Sequence, residues 1–195
     1  MNFVARFEKI DNVLFWFDTR IYLENYDKNM PGNCIGSIIA KNPGSAKPSE
    51  LDNLVPLELN GDKMLPYVYN RFMESYKLAG KKAPPHSFIR VWNLFYICDK
   101  DLRKAINIAK DFGQSIPFCS TESDSAPITW FGWGGDSVEL NAFKERFLKK
   151  NNNNPFFYDN KNKCIRRDVP KKTECAKHTQ GMLKQPVSEY LETIL

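Results

Sequence analysis

Three times along this 195-residue chain a short apolar run gives way to a segment with helical spacing, and that alternation constrains the fold more than any other feature. Ile38, Ile39 and Ala40 form a run short enough for a buried strand, and Asn42-Pro43-Gly44 ends it, because proline cannot continue a helix and glycine permits positive φ. Residues 68–79 then place Phe72, Tyr76 and Ala79 on one helical face, with Gly80 as a stop. The second unit pairs a strand over 87–96 with a helix over 99–112, where Leu102, Ile106 and Ala109 recur at helical intervals. The third joins a strand over 127–131, a glycine turn at 132–135 and a helix over 137–149. One or two aromatic, β-branched strands over 13–23 precede these units. A fourth strand over 155–158, a basic irregular stretch over 161–177 and a short helix within 185–195 follow them. Strands alternating with helices imply parallel pairing, so the expectation is an α/β fold in one domain, 1–195, built as a three-layer α/β/α sandwich around a mostly parallel sheet.

Composition narrows the function classes. A formal net charge of +5 and a pI near 8.9, with Lys and Arg gathered in local stretches, permit a polyanionic partner without demanding one. The five cysteines are odd in number and contain no C-x-x-C pair, which argues against a disulfide framework or zinc ribbon, so a reducing cytoplasm is the expected compartment. Glu8 and Asp11 interrupt the amino terminus, and no apolar run reaches membrane-spanning length; neither a secretory signal nor a membrane partner is expected. The sequence contains no G-x-S-x-G, no G-x-x-x-x-G-K and no H-E-x-x-H. Cys164, Cys175 and His178 share one segment, but their spacing fits no familiar metal site, so neither metal nor cofactor is expected.

Two amides carry the candidate chemistry. Asn42 would stand at the carboxyl end of a strand, the edge where open α/β sheets bind ligands, with one donor and one acceptor to hold a water or a base edge. Asn-Pro-Gly is also ordinary turn chemistry. Asn93 interrupts the apolar run 87–96 and needs a hydrogen-bonding partner there. The aromatic clusters either fill a core or offer faces for stacking.

Asn42-Pro43-Gly44-Ser45-Ala46, Asn93-Leu94-Phe95, Trp133-Gly134 and the stretch from Gly181 through Leu191 resemble, in order and spacing, a family of uncharacterised bacterial and phage proteins. That family's pattern is N-P-S-T-A, N-L-F, W-G and a late G-x-P-x-H-P-L-Y-L. More distantly, the pattern resembles the uracil-DNA glycosylase superfamily, above all its mismatch-specific branch with the motif G-I-N-P-G. The resemblance implies a glycosylase-like protein that hydrolyses the N-glycosidic bond of a modified or mispaired base, with DNA rather than RNA as its partner. It implies catalytic roles for Asn42, which would position water, and Gln185, which stands where the family has histidine. Asn93, Phe95, Pro43, Gly44 and Trp133 would surround the base, while Ser45, Lys161, Lys163, Arg166 and Arg167 would meet the DNA backbone. Lys41 replaces an apolar residue of the motif, and strand alternation would turn it away from Asn42. A non-catalytic nucleic-acid binding module, or an enzyme or sensor for a free nucleotide, are the alternatives.

Overall fold

Four strands whose residues are apolar on both sides form the centre of the sheet. In the computed structural model, which describes residues 2–44, 48–59, 61–135, 138–150 and 152–195, these are β3 (Asn33–Ala40), β5 (Ser87–Asn93), β6 (Thr129–Phe131) and β7 (Pro155–Asp159). They run parallel in the order β5, β3, β6, β7. All seven residues of β5 are buried, as a strand covered on both faces requires.

Alternation sends the side chains of these strands into two separate cores. Ile38, Ile89, Val91, Trp130 and Phe156 pack with Leu65, Val68 and Phe72 of α1 (Met64–Leu78) and with Val187 and Leu191 of α4 (Lys184–Glu192). Ile39, Trp92, Phe131 and Phe157 pack with Ala105, Ile106 and Ala109 of α2 (Leu102–Phe112) and with Phe147 of α3 (Asn141–Leu148). Two helices therefore cover each face. Arg71 fixes α1 to α4, donating to the Ser188 hydroxyl at 2.8 Å and pairing with Glu74. The Asp101 side chain caps α2 by accepting from the amides of Arg103 and Lys104.

The sheet is mixed where the sequence implied a mostly parallel one. Among the described residues it has eight strands in the order β4-β1-β2-β5-β3-β6-β7-β8, with antiparallel pairing at both margins. One margin is a hairpin of β1 (Phe3–Ile10) and β2 (Val13–Tyr22), extended by β4 (Leu54–Pro56). Its tight turn places Asp11 and Asn12 at φ 47° and 63°, a conformation that these two residue types tolerate. The other margin is β8 (Cys164–Arg166), which pairs with β7 inside the stretch read as irregular; its polar, basic sequence carries no period-2 apolar signal. The third helix forms as a 3-10 turn, Val138–Leu140, leading into α3, and Ser137 lies outside the described residues. No described helix is long and apolar enough to cross a membrane.

Phe72 is fully buried between α1 and the sheet. Phe72→Ala is expected to lower unfolding free energy by about 3–5 kcal/mol, measured by urea denaturation.

Candidate functional site

The carboxyl ends of β3, β6 and β7 open onto one cleft. Backbone bonds set its walls: Leu94 N–H donates to the carbonyls of Ala40 and Lys41 at 3.0 and 3.1 Å, and Gly132 N–H donates to Ile39 O at 2.9 Å. The opposite wall comes from late in the chain. Gly134 N–H donates to Ala176 O at 2.7 Å and Lys177 N–H to Tyr158 O at 3.2 Å, which draws the 175–180 segment across the ends of β6 and β7. Gly134, at φ 87°, holds a left-handed conformation that favours glycine.

The cleft encloses about 590 Å³, and its polar lining is Lys41, Asn42, Asn160, Lys177, His178 and Gln180. Its described lining holds two lysines, Lys41 and Lys177, and no carboxylate, a composition that suits an anion. Asn42 donates from Nδ2 to Asp99 O at 3.2 Å, which fixes the amide and leaves Oδ1 as an acceptor. His178 Nδ1 accepts from the Gln180 backbone N–H at 3.3 Å. Burial pushes the His178 imidazole below its ordinary range, and the Lys41 ammonium pushes it further down, with Asp62 opposing and Lys177 adding to the effect. The neutral imidazole that results has Nδ1 occupied as an acceptor and its proton on Nε2.

Lys41 lines the cleft beside Asn42, contrary to the alternation argument. The reason is that β3 ends at Ala40, so the period of two no longer applies beyond it.

Asn93 does not join Asn42. Its side chain shares the parity of Val91 and lines a separate pocket of about 10 Å³ with Trp16, Pro43, Asp62 and Leu65, on the α1 side of the sheet. That space admits one water and no planar ring. Asn93 is 1% exposed, and neither its Oδ1 nor the neighbouring Trp16 Nε1 has a hydrogen-bond partner among the described residues. Phe95 and Trp133 are core residues: Phe95 packs on Phe143 at 5.3 Å between ring centroids, and Trp133 meets Phe131 edge-on at 5.2 Å. Neither presents a face to a ligand. Pro43 is buried; Gly44 adopts φ 74°, the turn its sequence implied; Ser45 lies outside the described residues.

Gln185 is exposed on the first turn of α4, where it donates to Glu189 at 2.7 Å, and it is not part of the cleft lining. The basic stretch is divided by the sheet. Lys163 and Arg167 line a second depression, of about 370 Å³, beside Pro186 and Tyr190 of α4. Arg166 lies over the Phe157 ring and is paired with Asp168 at 2.5 Å and Glu174 at 3.4 Å. Lys161 is exposed in the turn that the Asp159 carboxylate organises by accepting from its backbone N–H. Cys164 is exposed on β8 while Cys175 lines the cleft with His178, and no group of three or more His, Cys, Asp or Glu among the described residues is placed to hold a metal.

Sequence reasoning missed Asn160, Lys177, His178 and Gln180 as site residues. Their common signal is local: K-H-T-Q lies just before Gly181, between a strand-pairing segment and the last helix. The chain matches no family model, no curated protein and no solved structure.

The contribution of His178 to stability is complete above its unfolded pKa of about 6.5 and is lost as pH falls through the lower folded value. Lys41→Gln removes a cation that disfavours the imidazolium, so it is expected to raise the His178 pKa, read by NMR titration of the ring.

Proposed function

We propose that the cleft hydrolyses the N-glycosidic bond of a modified or mispaired base in DNA, in the manner of the uracil-DNA glycosylase superfamily that the sequence motifs resemble. One observation carries the reading: Asn42 and His178 line the same cleft at the carboxyl edge of the parallel strands. The family's late histidine is replaced at Gln185, and His178 supplies an imidazole to the site from a neighbouring position.

The chemistry follows from where charge develops. As the glycosidic bond breaks, the sugar becomes positive and the departing base negative, so fixed hydrogen-bond groups at both ends lower the barrier. Asn42 Oδ1 accepts a hydrogen bond from the attacking water and aims its lone pair at C1′. His178 donates from Nε2 to the base as its negative charge grows. Lys177 supplies positive charge for the phosphate backbone, which offsets part of the few kcal/mol needed to extrude a base from the stack. No Phe, Tyr or Trp is among the described lining residues, so this reading asks no stacking energy of the cleft.

That same absence favours a second reading, a non-catalytic nucleic-acid binding module. The two separate in one experiment. Release of a free base from oligonucleotides carrying uracil, a thymine mismatch or hypermodified bases is expected for at least one substrate, and Asn42→Ala and His178→Ala are each expected to slow it about 10²-fold or more while binding persists. Salt-sensitive binding with no base released across the panel supports the module and removes the catalytic reading.

A further inference from the structure

We infer that Lys41 is an amine nucleophile that captures the aldehyde of an abasic deoxyribose as an imine at Nζ. The inference rests on reading the cleft as a DNA site, but it concerns the step after the base has gone. Three observations carry it. Lys41 adjoins Asn42 on the cleft wall, so its amine shares the space where a water held by Asn42 would meet C1′. The lysine tip lies within the site: a Cβ built at Gly134 would stand in ordinary contact, 3.4 Å from both Cε and Nζ of Lys41 and 3.5 Å from His178 Cβ, so the amine and the histidine flank the same glycine of the cleft. Among the described residues no carboxylate lies within 4.0 Å of the Lys41 nitrogen.

Lys41 lines the cleft together with the two groups assigned to the glycosidic bond, Asn42 and His178. The abasic sugar equilibrates between a ring-closed hemiacetal and an open form with an aldehyde at C1′. The Lys41 ammonium gives a proton to water, and the Nζ lone pair forms the N–C1′ bond. The carbonyl oxygen takes up a proton, and the carbinolamine loses water to leave the imine. Amine and aldehyde become imine and water, with no oxidant or reductant needed, and hydrolysis reverses the step. The enzyme thereby holds its own reactive product.

The test uses the full chain and an oligonucleotide with a pre-formed abasic site, treated with sodium borohydride, whose hydride converts an imine to a stable secondary amine. A covalent protein–DNA adduct is expected on a denaturing gel, with the modified peptide mapping to Lys41. Lys41→Arg and Lys41→Met are expected to lose the adduct, while Lys82→Met, an exposed lysine in the loop before β5, traps like the parent. No adduct from the parent, an adduct on another amine, or undiminished trapping by folded Lys41→Met overturns the inference. Peptide mapping of the parent decides the matter even if the variants fail to fold. Because the substrate contains no base to remove, trapping through Lys41 with no base release in the earlier panel would sink the glycosidic reading alone, and base release without trapping would sink this inference alone.

Discussion

Parallel pairing of β3 with β5 on one side and β6 on the other is the constraint from which the rest of the structure follows. Parallel neighbours need crossovers, crossovers place helices on both faces, and helices on both faces oblige the central strands to bury apolar residues on both sides. Once those strands are fixed, their carboxyl ends lie side by side, and every loop that leaves them begins from one edge. Lys41-Asn42, the Gly132–Gly135 turn and Asn160 reach a common cleft for that reason, although they are distant in sequence.

The cleft is completed by a different kind of interaction. A single antiparallel bridge between Gly134 and Ala176 lays a late irregular segment over the strand ends, and with it come Lys177, His178 and Gln180. The sheet supplies one wall by topology, while the other hangs on backbone bonds to a glycine turn and to Tyr158. A histidine whose charged form is disfavoured by burial and by Lys41 is held in place by these bonds, so the ring's protonation state depends on where the late segment lies.

How much of this was legible in the sequence differs by element. Helix α2 announced itself through Leu102, Ile106 and Ala109 on one face, and β5 through a mostly apolar run that Arg90 and Asn93 interrupt. The hairpin's first strand is absent from the expected elements although Ala5 and Phe7 alternate with Arg6 and Glu8, the period of a half-buried strand. The edge strand β8 was hidden by its basic composition. At the site, Asn42 and the turn at Gly44 were readable from local chemistry. Divergence of Asn42 from Asn93 was not, because it depends on register: Ala40 stands opposite Asn93, which leaves Asn42 beyond the strand while Asn93 keeps strand parity. His178 was unreadable as a cleft residue because only a long-range pairing brings it there.

The sheet's two outermost strands, β4 and β8, are each three residues long, and β8 ends in Arg166 and is followed by Arg167. An open sheet exposes unpaired amide and carbonyl groups at its rims, which invite strands from other molecules to add on. Short borders offer such intruders little ladder to extend. A chain with 13% aromatic residues and a wide twisted sheet thus carries, in its least regular strands, protection against polymerising with itself.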